Sequence, residues 1–213
     1  MKMKKIIGIA VSAVLLVSIA AAGAFAADIG PSSPTSTDKD AGKTDISISG
    51  EGEVADTKPA EGKKEESLYV EVKTTEDSQK EEEDLRSDGM QDYLGTDVIE
   101  KAADIMDTSK ENVTVSEIKE VIASGYDEKM EEVTLKVPFA ALPEEGTKVA
   151  VVVRVSTPDG KTVSLPVEGI VVEETVIVNG VARKVRKVMF TLDGVTMQNV
   201  VAGKVYVAAV TRK

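Results

Sequence analysis

From Met130 onward, apolar residues recur at every second position. "VTLKVPF" places Val133, Leu135, Val137 and Phe139 on one face, and "KVAVVVRVS" does the same with Val149, Val151, Val153 and Val155. Period two is the signature of a strand with one face buried. "TPDGK" reads as a hairpin turn, because Pro158 presets φ and Gly160 accepts the left-handed position. Pairing Thr157 with Lys161 then sets Val155 opposite Val163, Val153 opposite Leu165 and Val151 opposite Val167, all on one face. A second hairpin follows from Asn179-Gly180, which pairs Val178 with Val181. Counting back puts Glu173 opposite Arg186, Glu174 opposite Val185 and Thr175 opposite Lys184. The step of three from Val185 to Val188 breaks the alternation and predicts a β-bulge around Arg186-Lys187. Asp193-Gly194 marks another turn before a last strand, "VYVAAV". About six or seven short strands with turns at this spacing predict an antiparallel, immunoglobulin-like β-sandwich over residues 131–213.

The pattern changes upstream. "GTDVIEKAADIMD" has Val98, Ala102, Ile105 and Met106 on one helical face, with Thr96 placed to cap it. In "TVSEIKEVIASG", Thr114 and Glu117 have capping-box spacing, Gly125 supplies a left-handed stop, and the stripe is Val115, Ile118, Val121 and Ile122. Residues 95–130 therefore read as a short helical hairpin. The loop between its helices lacks the Gly and Glu of a calcium-binding loop, having Asn112 and Ile118 at those positions. Residues 68–94 form an acidic segment; "LYVEV" is a possible short strand, and "EDSQKEEEDLRSD" is solvated and helical at best. Residues 27–67, rich in Pro, Ser, Thr, Gly and charge, bury too little apolar surface to offset ordering and predict a disordered linker. "ISIS" at 46–49 alternates, but over too few residues to predict a strand.

The first 26 residues carry the three parts of a signal peptide: basic "MKMKK", an uncharged apolar run at 6–19, and Ala24-Phe25-Ala26 as an A-x-A cleavage pattern. The uncharged stretch 6–27 is also long enough to span a bilayer as a retained anchor. Its Ala/Gly-rich end favours cleavage after Ala26, giving a secreted or envelope protein. No Cys is available for lipid attachment.

Composition then removes chemistry. There is no Cys, His or Trp. Ser-His-Asp and Cys-His triads and the usual zinc sites cannot be assembled. No catalytic residue, metal ligand or cofactor is expected. Net charge is −11, which disfavours nucleic acid and, beyond the signal segment, membrane as partners. The acidity lies in front: residues 28–94 hold 19 acidic and 8 basic residues, whereas 131–213 hold 9 and 11. Against that near-neutral background, "ARKVRK" at 182–187 concentrates positive charge. The predicted register places Glu173 and Glu174 near Lys184 and Arg186. Arg183 and Lys187 have no acidic residue opposite. With Arg154, they are the candidate ligand-binding residues. Few aromatics are available as a sugar-binding platform, and Phe139 and Phe190 fall on core positions.

Signal peptide, low-complexity linker, helical segment and Val-rich strands over about 131–211 form a layout that resembles small exported surface proteins of Gram-positive type. Those proteins end in an immunoglobulin-like or fibronectin-type-III-like domain. The resemblance implies adhesion or envelope association, with a protein or cell-envelope polymer as partner; it names no ligand and no oligomeric state. The leading expectation is a secreted or cell-surface, non-catalytic binding or structural module. The alternative is an envelope-associated accessory or inhibitor of a secreted enzyme, and the third is a hydrolase without a recognisable motif. N-terminal sequencing of the exported protein should begin at Ala27; recovery only from the cytosol, with residues 1–26 intact, would overturn export.

Overall fold

The computed structural model describes residues 43–50, 53–55, 58, 67–127, 129–156, 161–178 and 180–213. The predicted signal segment, the predicted turn at 157–160, Asn179 and most of the predicted linker lie outside them. Eight strands are described: β1 (Asp45–Gly50), β2 (Tyr69–Lys73), β3 (Val113–Ser124), β4 (Met130–Val137), β5 (Lys148–Ser156), β6 (Thr162–Val178), β7 (Val181–Asp193) and β8 (Lys204–Arg212). Helices α1 (Glu76–Asp88), α2 (Met90–Leu94) and α3 (Thr96–Ile105) follow β2, and α4 (Gly194–Ala202) joins β7 to β8. All eight strands belong to one hydrogen-bonded order, β1-β4-β7-β6-β5-β8-β3-β2. Every neighbouring pair is antiparallel. The fold is thus mainly β, with a nearly closed antiparallel sheet; its pairing shows no division into two separate sheets.

Both predicted hairpins have the expected register. Val151 faces Val167, Val153 faces Leu165 and Val155 faces Val163. Val178 faces Val181, Thr175 faces Lys184, Glu174 faces Val185 and Glu173 faces Arg186. The predicted bulge at Arg186-Lys187 is absent, since Val172 pairs Lys187 and Val171 pairs Val188 without a shift. The alternation fails there for another reason. β4 accompanies β7 only from Val188 onward, and β5 accompanies β6 only up to Ile170. Among the described residues the hairpin end beyond them has no other ladder partner, so past Val171 the inner core no longer selects which face is apolar. Val163 and Leu165 also depart from expectation, at 47% and 37% exposure. β7 pairs with β6 only from Gly169 onward, so residues 162–168 have an uncovered edge. Pro166, which has no N–H to leave unpaired, sits in that stretch.

The helical hairpin expected at 95–130 is half right. α3 forms, but Thr96 is its first residue and Gly95 occupies the cap without a side-chain bond. The "TVSEIKEVIAS" stretch is strand β3 instead, paired with β2 on one side and β8 on the other. Its helix-like spacing comes from a register shift between Val115 and Glu117, where Ser116 is the extra residue. That bulge carries Val113, Val115 and Ile118 onto one face and leaves Val121 on the other. Glu117 caps nothing; it accepts hydrogen bonds from the Ala140 N–H and the Thr74 hydroxyl at 2.9 and 3.1 Å. Gly125 is left-handed as expected, φ +76, but it ends a strand.

Two further segments join the fold. The "ISIS" patch lies in β1, inside the predicted linker, and pairs with β4. "EDSQKEEEDLRSD" is α1, capped by Thr75, whose hydroxyl accepts from the Ser78 N–H while Ser78 Oγ accepts from the Thr75 N–H. Residue 131 is therefore no boundary within the sheet.

Two cores result. One lies on the inner face and gathers Leu135, Val153, Phe190 and Val207, together with Met197 and Val200 of α4. The other lies between the outer face of β3, β5 and β8 and the helices, where Ile99, Ala102 and Met106 meet Val152, Ala208 and Ile118. β5 and β8 are covered on both sides, which is why their sequences are almost continuously apolar. Gly169 marks the tightest point of the inner core: a Cβ there would lie 2.7 Å from Val188 Cγ1 and 3.3 Å from Val149 and Val151. Gly169→Ala should lower stability by about 1–3 kcal/mol, measured by urea denaturation; an unchanged midpoint would contradict this packing.

Candidate functional site

The basic run on β7 is largely neutralised from within. Lys184 Nζ lies 2.5 Å from Glu173 Oε1, and Arg186 Nε is 3.7 Å from the same carboxylate. Arg186 also donates to the carbonyls of Leu142 and Pro143 at 3.2 and 3.1 Å. The Lys184 hydrogen bond holds the Glu173 carboxyl below the usual carboxylate range.

Lys187 corrects the expectation that it lacks an acidic partner. It is only 2% exposed. Its ammonium lies 2.6 Å from Asp45 on β1 and 3.1 Å from Glu174 on β6. Glu174 in turn accepts from Lys136 of β4 at 2.6 Å. Four strands are tied by one network, and its Asp45 comes from the segment read as linker. Arg154 is likewise committed. It pairs with Glu81 of α1 and stacks 4.1 Å over the Tyr93 ring of α2. Tyr93 donates to Glu81 at 2.5 Å. Burial and that bond push its hydroxyl pKa well up, against the opposing pull of Arg154. Of the three candidates, only Arg183 is exposed; it stands opposite Val176 and has no ion pair among the described residues. The structure does not bring the three together.

A different feature lies where the sheet fails to close. The outer edges of β1 and β2 flank a cleft of about 550 Å³ lined by residues 43–46, 54–55 and 69–73. Its inner side is apolar, with Val70 and Val72 buried and Ile46 packed against the inner core. Thr44 shares that side; it is 7% exposed and its hydroxyl has no hydrogen-bond partner. On the outer rim, Lys73 pairs with Glu71 at 2.8 Å and Asp45 with Lys187. One end of the cleft is already paired. The Ala55 N–H donates to the Leu68 carbonyl and the Leu68 N–H to the Glu53 carbonyl, both at 2.8 Å, in a parallel bridge of Val54 with Leu68. Sequence reading missed this cleft, although its two walls were the two short alternating patches, "ISIS" and "LYVEV".

A second hollow of about 340 Å³ lies between α1, α2 and the start of β3. Its Glu82 is already engaged, accepting from the Ile118 N–H at 2.9 Å and pairing with Arg86. Among the described residues, no group of three or more Asp or Glu is placed to hold a metal ion. No helix among them is long and apolar enough to cross a membrane. Compared with known family models, curated proteins and solved structures, the chain matches none.

The Lys187 network yields a stability prediction. Lys187→Ala strands Asp45 and removes one of the two cations on Glu174. With Asp45 half exposed, the loss should be about 2 kcal/mol, below the 3–5 of a fully buried pair. Arg183→Ala should stay within about 0.5 kcal/mol. Burial pushes the Glu174 carboxyl up, but hydrogen bonds from Lys136 and Lys187 outweigh it and hold the pKa low. The network's contribution is therefore present above the ordinary carboxylate pKa and lost as pH falls through the depressed one. Urea midpoints of the native and Lys187→Ala proteins should converge in acid; a constant gap would contradict the assignment.

Proposed function

We propose that the chain is an exported, non-catalytic binding module. Its sheet serves as a barrel-like frame, and the open seam between β1 and β2 is the binding surface. The seam cleft carries this reading: among the described residues it joins two strand edges without a ladder partner, an apolar inner side and a buried hydroxyl without a hydrogen-bond partner. Unpaired strand edges are recognition elements by default, because their main-chain groups lack partners. The tripartite N-terminus supports export, and the absence of His and Cys from the sequence supports a non-catalytic role. The committed ion pairs of Lys187 and Arg154 weigh against the earlier basic-patch site. The barrel-like description, in preference to a sandwich, rests on the single strand order and on one inner core shared by seven strands.

The accessory or inhibitor reading has one observation in its favour. The end of the β6–β7 hairpin is paired only to itself and exposes Ile177 and Val181, a shape suited to entering another protein's groove. A photo-crosslinking amino acid placed at Tyr69, Val181 or Val195 in the producing cell separates the two. An adduct from position 69 alone supports the seam. An adduct from 181 alone would transfer the proposal to the hairpin. Val195, exposed on α4, serves as the control.

A further inference from the structure

We infer that the seam binds an extended peptide from another protein, which lies between β1 and β2 as an added strand. The inference rests on the seam being the binding surface and specifies its ligand. β2 supplies the first argument. Both main-chain groups of Leu68 are used by Glu53 and Ala55 on the outer edge. Strand residues turn their N–H and C=O alternately to one edge and the other, so the next groups facing that edge belong to Val70 and Val72. Those groups border the cleft, directly beyond the short stretch 53–55 that already pairs there. A strand continuing past that stretch meets two N–H and two C=O groups from β2, with an edge of β1 that has no ladder partner among the described residues on its other side. β1 and β2 are antiparallel to each other through seven antiparallel pairings. An inserted strand therefore runs parallel to one wall and antiparallel to the other, whichever direction it takes.

Size and side-chain environment define the rest. One strand residue occupies roughly 160 Å³ at a strand spacing near 4.8 Å, a rise near 3.3 Å and a sheet separation near 10 Å. The cleft of about 550 Å³ accommodates three or four such residues. Inward-facing positions meet Ile46, Val70 and Val72 and call for aliphatic side chains. Thr44 places a buried side-chain hydroxyl, without a partner among the described residues, on the same side. Outward-facing positions meet a rim where Lys73 pairs with Glu71 and Asp45 with Lys187, while Lys43 has no ion pair among the described residues; a rim with one spare cation takes uncharged polar side chains. The neighbouring segments of this chain do not have that pattern. Residues 28–42 carry two prolines and four charges, with Ile29 as their one large aliphatic residue. Residues 56–66 carry Pro59 and seven charges and no aliphatic residue larger than Ala60. A peptide supplied in trans, alternating aliphatic and uncharged polar residues, fits where they do not.

The test uses the mature full chain and, as probe, an N-acetylated heptapeptide of alternating serine and valine. Binding should be saturable, with Kd at or below about 100 μM. Amide hydrogen exchange at Val70 and Val72 should slow at least about tenfold at saturation. The same peptide with proline at its centre lacks a ladder N–H and should bind at least about tenfold more weakly. No protection of these two amides at about 1 mM peptide, or equal binding of the proline peptide, overturns the inference. A position-69 crosslink together with a failed peptide test would keep the seam as binding surface and discard the strand. Protection of Val70 and Val72 without any crosslink would support strand addition at the seam and count against a partner there in the producing cell.

Discussion

The pairing of β5 with β8 joins two strands that bury both of their faces. Val151, Val153 and Ala209 look into the inner core, while Val152 and Ala208 lie beneath the helices. A strand in that position needs a layer on each side. The sheet supplies the inner layer by curling, so that its other strands pack against one another across the interior. α1 to α3 supply the outer layer, and the Arg154–Glu81–Tyr93 cluster fixes two of them to β5. Curling also dictates where the sheet is left incomplete. An antiparallel sheet wound around one core either pairs its last two edges or leaves a seam, and here β1 and β2 leave one.

What could be read from the sequence followed from where information is local. The two hairpins were legible because a turn of known length fixes every cross-strand partner, so Glu173 and Arg186 could be matched by counting. β3 was misread because one extra residue at Ser116 converts a period of two into a step of three, which is also the helical step. β1 was passed over because six residues flanked by charge and proline carry little signal by themselves. Its stability comes from β4, some eighty residues away. Lys187 was misjudged for the same reason: its principal partner, Asp45, is 142 residues distant. The cleft depends on two segments whose juxtaposition no local pattern encodes, although each was noticed separately.

The charge distribution acquires a different meaning once folded. The basic run on β7 looked like a ligand site because the residues before it are acidic while its own surroundings are not. Folding brings the acidic partners to it, Asp45 from β1 and Glu173 and Glu174 from β6, its hairpin partner. The conspicuous positive patch becomes a tie between strands, and among the described residues the buried polar side-chain atoms left without a partner are the Thr44 hydroxyl and Arg154 Nε.

The strands that border the seam, first and last in the sheet order, are consecutive in the sequence. Only the eighteen residues between Gly50 and Tyr69 separate them. The ring that hydrogen bonds leave open is thus closed by covalent chain. Parting the seam does not release either edge into solution; each remains tethered within a short reach of the other, at a high effective concentration. A ring with a tethered gap can widen for a guest and re-form after it leaves without losing its register elsewhere, because the seven existing pairings need not break.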